Sequence, residues 1–211
     1  MRQDDSRLPS LHVVGDSISI QYGPHLEAML AGVFTYSRKT GAIGNLDAPE
    51  GANGGDSGMV MDYLQTLQND PRVPFDYLMV NCGLHDLRWR FAESRFQVPI
   101  EQYAANLTAM VDISKSITRA LIWVRTTPVV DHIHNRPSME FHRFAREVDA
   151  YNACADQIMR HCRVPAIDLF TFTRNLGADV YFDHVHFREE VRAQQAAFIA
   201  GNLCQIRERG A

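Results

Sequence analysis

Lysine is almost missing from these 211 residues: Lys39 and Lys115 are the only two, and every other basic residue is arginine. Chemistry that needs a buried amine nucleophile therefore has two candidates, and neither falls in a recognisable motif. A basic excess is missing too. Lys and Arg number 21 against 25 Asp and Glu, a formal net charge of −4, which offers no positive surface to a phosphate backbone or an anionic bilayer and argues against nucleic-acid and membrane partners. No segment approaches the ~18 consecutive apolar residues of a spanning helix. The opening Met1–Ser10 has no apolar export core, so a cytoplasmic protein is expected if Met1 is the native start, and a secreted or periplasmic one otherwise. The four cysteines, Cys82, Cys154, Cys162 and Cys204, form no CxxC pair and no zinc spacing. Cys154 and Cys162 fall on one helical stretch with a rise of about 12 Å between them, beyond the ~7 Å limit for a disulfide, so buried reduced thiols are expected. Repeats, low-complexity tracts and Pro/Gly-rich linkers are absent as well, and one domain over 1–211 follows.

What is present is an alternation of short apolar runs with longer segments of helical period. Leu11-His12-Val13-Val14 stops at Gly15, Phe75 to Val80 stops at Asn81-Cys82-Gly83, Ala120 to Val124 stops at Thr126-Thr127-Pro128, and Val164 to Ile167 stops at Asp168. These read as buried parallel strands, with a weaker one around Val33 to Tyr36. Phe141, Phe144, Val148, Tyr151, Ala155 and Ile158 step by three and four, which predicts an amphipathic helix from Phe141 onward. Similar stripes cover Ser57 to Leu67, Ile100 to Ile113 and Glu189 to Ile206. The alternation predicts a doubly wound α/β sheet. Gly41 to Gly58 holds six of the 13 glycines and reads as a long ordered loop. In such a sheet ligands bind beyond the carboxyl ends of the strands, so the residues that follow each strand are where chemistry belongs.

The first strand runs directly into Gly15-Asp16-Ser17. A serine that ends a strand and opens a helix has its hydroxyl and its backbone N–H in the crevice, the position of a nucleophile. Alone the tripeptide is weak, since chance produces it in about one chain of this length in twenty. Near the other end, Asp183-His184-Val185-His186 sets an Asp and a His three apart ahead of the last helix. A serine nucleophile needs a base and a carboxylate that fixes the imidazole tautomer, and His186 and Asp183 supply both from one turn. The bland alternatives are an N-cap aspartate and a rim histidine.

Together these segments resemble the SGNH hydrolase superfamily, the GDSL-type esterases. Asn53-Gly54-Gly55-Asp56-Ser57 matches that family's second block and Gly83-Leu84-His85-Asp86 its third, in order and over nearly the whole chain. The resemblance implies a single-domain, flavodoxin-like α/β/α sandwich with a mainly parallel five-stranded sheet. It also implies a Ser17–His186–Asp183 triad acting through an acyl-enzyme, with an oxyanion hole formed by the N–H groups of Ser17 and Gly55 and a side chain of the third block. His85 stands where the superfamily's usual residue is Asn. A neutral imidazole can donate one N–H as an amide does; Asn81 is the alternative donor. Asn81-Cys82-Gly83-Leu84-His85-Asp86 and Thr126-Thr127-Pro128-Val129 are similar to a branch of carbohydrate acetylesterases, which implies removal of acetyl groups from a small-molecule or oligosaccharide ester. Broad short-chain carboxylesterase, lysophospholipase and thioesterase activities are the alternatives within the fold. No cofactor and no metal are implied.

Two readings from other classes compete. Asp131-His132-Ile133-His134 echoes Asp183-His184-Val185-His186, and such segments can hold a divalent metal; a metal-dependent hydrolase is the first rival. A non-catalytic binding module that keeps the fold is the second. Asp16, Trp89 and His134 are candidate substrate contacts, and Arg88, Arg90 and Arg95 make an arginine-rich segment after the third block. For His132 and His134 together, a solvated loop is the default expectation.

Overall fold

The computed structural model describes residues 7–137 and 139–210; the opening 1–6, on which the export expectation turns, lies outside them. Five parallel strands form the central sheet: β1 (Ser10–Val14), β2 (Thr35–Arg38), β3 (Phe75–Val80), β6 (Thr118–Val124) and β8 (Ala166–Ile167), in the order β2-β1-β3-β6-β8. β3 is buried along its whole length, as its unbroken apolar run requires of a strand covered on both faces. Its single charge, Asp76, sits at the amino end of the sheet. There it accepts hydrogen bonds from Ser10 N–H (2.8 Å) and Ser10 Oγ (3.0 Å) and pairs with Arg7.

The helices form two groups. α1 (Ser17–Met29) packs on α7 (Glu189–Glu208), which also meets α6 (Leu169–Asn175); α2 (Ser57–Leu67) packs on α3 (Ile100–Ile117), which meets α5 (Ala145–His161). The two groups flank the sheet as a doubly wound sandwich. Because β1 is followed by β2 on one side and neighbours β3 on the other, the strand order reverses between β1 and β3, and a crevice opens there. Among the described residues no helix is long and apolar enough to cross a membrane.

The structure differs from the sequence reading at the start of α5 and in the burial of the cysteines. The helix expected from Phe141 begins at Ala145. Phe141–His142 instead forms β7, which pairs with β4 (Trp89–Arg90), itself paired with β5 (Arg95–Phe96), in a small antiparallel sheet. Asp131, at the start of the short helix α4 (Asp131–His134), accepts the Ala145 N–H at 2.7 Å and so marks where α5 starts. The four cysteines are free, but only Cys82 is buried; Cys162 caps α5 at its carboxyl end and is exposed.

Candidate active site

β1 ends at Val14, and Gly15 and Asp16 turn the chain so that Ser17 is the first residue of α1. Asp16 is the N-cap, its Oδ1 accepting the Ile18 N–H at 3.0 Å. It is 2% exposed, and burial pushes its carboxyl above the ordinary value. Asp16 thus orients the turn that opens α1 at Ser17. As the opening residue of a helix, Ser17 has an N–H with no partner within that helix.

The late Asp-x-x-His segment reaches Ser17 across 169 positions of sequence. His186 Nε2 lies 2.9 Å from Ser17 Oγ, and His186 Nδ1 lies 2.7 Å from Asp183 Oδ2. Asp183 Oδ1 accepts the N–H groups of Val185 (2.8 Å) and His186 (2.7 Å), closing a turn that fixes the imidazole. Burial works to raise the Asp183 carboxyl, but the hydrogen bonds from His186 and from both backbone N–H groups outweigh it and hold the group well below its usual range. It is therefore a carboxylate at any working pH, and the ring nitrogen facing it is held as a donor. Nε2 is left to accept from Ser17.

The loop after β3 carries the third block. His85 is 2% exposed and its Nδ1 is buried without a partner. Burial, with the charges of Arg88 and Arg143 around it, holds His85 far below its ordinary pKa, so it stays neutral. Asn81, the alternative donor, does not point to the crevice: continuing the strand, its Nδ2 donates to Val124 O on β6 at 2.9 Å. Gly55 occupies the expected place in the second block, with φ +74° and no room for a Cβ beside Met59 and Pro49. Its N–H, however, donates to Asn53 Oδ1 at 2.9 Å, an Asx turn, and must leave that partner to serve an oxyanion.

The glycine-rich loop is clamped against the nucleophile turn. Gly54 N–H donates to Gly15 O at 2.9 Å, and Lys39 Nζ holds the carbonyls of Gly51 and Asn53. On this loop Asp47 Oδ2 lies 3.3 Å from His184 Nε2, while His184 Nδ1 lies 2.9 Å from His134 Nδ1. Asp47 and His184 carry no signal in the sequence beyond the proximity of His184 to His186. His134 is fully buried, against the expectation of a solvated loop, and its imidazole is held neutral by burial and by Arg143, with its pKa lowered to about 3. The two Asp-His-x-His segments do not converge as a ligand set: His132 is exposed, Asp131 is spent on Ala145, and His134 Nε2 faces Arg143 Nη1 at 3.5 Å. Trp89 sits in the small sheet, edge-on to Phe96 at 5.1 Å.

Asp86 ties the third block to the second. Its Oδ1 accepts the Ser57 N–H at 2.9 Å, and its Oδ2 is buried without a partner. Complete burial pushes the carboxyl up from 3.8 to about 8, against the opposing Ser57 hydrogen bonds. The folded chain thus holds a proton that the unfolded chain releases near its ordinary value. Stability from this group is fully present below that value and is lost as pH rises toward about 8. Asp86→Asn keeps the acceptor and removes the ionisation. It is expected to raise Tm at pH 8 by roughly 5 °C or more and to change it little at pH 4; calorimetric scans at both values check this, and a lower Tm at pH 8 refutes it.

The sequence profile of the GDSL-like lipase/acylhydrolase family matches residues 13–192. No curated protein is similar enough to be matched. Among solved structures, a lipase/acylhydrolase from Enterococcus faecalis is 14% identical, with 96% of this chain and 97% of that one covered at a TM-score of 0.69. The psychrotrophic esterase EstA from a Pseudoalteromonas species is 14% identical, with coverages of 93% and 97% and a TM-score of 0.63. A carbohydrate acetylesterase from Sinorhizobium meliloti is 12% identical, with coverages of 94% and 99% and a TM-score of 0.65. At such identities the structures share a fold, whereas the profile spans the strand-end turn of Ser17 and the Asp183–His186 segment alike: the chain belongs to the GDSL-like lipase/acylhydrolase family.

Proposed function

We propose that this acylhydrolase is a serine ester hydrolase that removes small acyl groups, acetyl above all, from carbohydrate esters. The observation that carries the reading is the line Ser17 Oγ, His186 Nε2, His186 Nδ1, Asp183 Oδ2, with steps of 2.9 and 2.7 Å. Ser17 attacks the ester carbonyl while His186 takes its proton, and Asp183 stabilises the imidazolium that forms. The Ser17 N–H and the His85 side chain stabilise the tetrahedral oxyanion, joined by Gly55 N–H once it leaves Asn53. His186 then protonates the departing alcohol, and the same base activates the water that clears the acyl-serine. The polar surroundings, Asp47, His85 and His184, favour a hydroxyl-rich alcohol over a lipid.

Acetate release from acetylated xylan, xyloglucan and manno-oligosaccharides, set beside 4-nitrophenyl esters of rising chain length, tests this function. Acetyl esters are expected to be cleaved fastest, with sugar acetates among the substrates. A maximum at long acyl chains, or no activity on any acetylated sugar, overturns it.

The role of His85 is tested separately. His85→Ala is expected to lower kcat by about 10²–10³-fold, the usual loss for one oxyanion donor, and His85→Asn to recover much of that. An unchanged kcat in His85→Ala leaves the oxyanion to backbone donors alone.

A further inference from the structure

Arg88 and Arg143 are 8% and 2% exposed. A charge taken out of water is normally paired, because an isolated one costs several kcal/mol. Elsewhere the fold follows this rule: Arg125, also largely buried, is held by Asp156 and Asp168. Among the described residues, Arg88 and Arg143 have no carboxylate partner; they bind carbonyls and a ring instead. Arg88 Nη2 donates to Asp47 O at 2.8 Å and Arg143 Nε to Leu84 O at 2.5 Å, and both guanidinium groups lie over Phe141, at 4.4 and 4.9 Å from its centre. Arg88 Nε is buried with no partner at all.

Their place in the fold is against the third block. Arg88 follows His85 by three residues, and Arg143 fixes the carbonyl of Leu84, the residue before His85. Both charges bear on His85, and that of Arg143 also on Asp16. Arg88 and Phe141 line a cavity of about 590 Å³ together with Gln97, a volume in the range of small-ligand sites. Of the two carboxylates on its wall, Glu93 is already paired with Arg90 and Glu140 is exposed. Burial pulls both guanidinium groups down, to about 10 for Arg88 and about 9 for Arg143, with Asp47 and Asp16 offsetting only part of that cost.

We propose that Arg88, backed by Arg143, is an anion-binding subsite, so that the alcohol portion of the ester cleaved here carries a carboxylate, as an acidic sugar does. The planar fork of an arginine matches a carboxylate with two parallel hydrogen bonds, and an arriving carboxylate supplies the missing counter-charge. The inference rests on the ester-hydrolase reading and narrows its substrate from acetylated sugars to acetylated sugar acids.

The test uses a matched pair: an O-acetylated methyl galacturonide, and the same compound with its carboxylate masked as a methyl ester. The readout is the ratio of the two kcat/KM values for deacetylation. The intact chain is expected to favour the acid by about 10–100-fold, the worth of a charge-assisted pair. Arg88→Gln is expected to bring the ratio close to one, and Arg88→Lys to leave part of it. A guanidinium that merely braces the loop at 84–88 changes both substrates alike and leaves the ratio where it was. A wild-type ratio at or below one, or a preference that survives Arg88→Gln, overturns the subsite. Calorimetric titration with galacturonate and with galactose needs no turnover and separates the two readings. Galacturonate binding that Arg88→Gln abolishes supports the subsite even where neither ester is cleaved, in which case the hydrolase reading alone fails. Cleavage of both esters without charge preference refutes the subsite alone.

Discussion

Ser17→Ala is expected to lower kcat/KM on 4-nitrophenyl acetate by about 10⁴- to 10⁶-fold, because the acyl-enzyme route closes and only binding and oxyanion stabilisation remain. The hydroxyl removed has one side-chain partner, His186 Nε2 at 2.9 Å, and takes no part in capping the helix. Asp16 does that, and alanine suits the first turn of a helix at least as well as serine. Folding should therefore be nearly untouched, with Tm within a few degrees of the parent. That combination, activity gone and stability kept, is what marks a nucleophile as distinct from a structural serine. A Ser17→Ala protein that keeps more than a tenth of the parent rate refutes the assignment, and with it the acyl-enzyme route.

The parts of this fold legible in the sequence are those where one local pattern decides the outcome. Continuous apolar runs gave the strands within one or two residues of their observed ends, and the stripe from Ser57 to Leu67 coincides with α2. The turns after β1 and β3 were legible for the same reason: a glycine or a small polar residue must follow where a buried strand stops. The small sheet was not. β4, β5 and β7 are two residues each, too short to show a period, and the spacing of Phe141 and Phe144 imitated a helix although Phe141 turns its ring to two arginines.

Side-chain roles were legible where the partner lay nearby in sequence or where ordered motif blocks linked distant segments, as with Ser17 and His186. Asp183 and His186 share one turn, so their relation could be read directly. The burial of His134 depends on His184, 50 positions away, and on Arg143, neither of which its own neighbourhood announces. Gly55 shows the opposite failure. Its motif implies a free N–H, yet a side chain two residues earlier takes that N–H. Lys39, one of only two lysines, sits in no recognisable motif and turns out to hold the carbonyls of the glycine-rich loop. Scarcity of lysine is thus compatible with a structural task for one of them.

Asp183 carries the second large effect. Asp183→Asn is expected to lower kcat by about 10⁴-fold with a smaller change in KM. The substituted Oδ1 can still accept the N–H groups of Val185 and His186, so the turn persists, but an amide Nδ2–H now faces His186 Nδ1. Two donors cannot meet there, and the imidazole must shift its proton to Nε2, the nitrogen that has to accept from Ser17. The base is then unavailable although every atom is in place. Asp183→Ala separates the two tasks of the carboxylate: it loses the tautomer control and also leaves two backbone N–H groups unpaired, so its Tm should fall by several degrees where that of Asp183→Asn does not. Steady-state kinetics and thermal scans on the two variants together check the assignment. An Asp183→Asn protein with kcat within tenfold of the parent means that another group supplies the tautomer control instead.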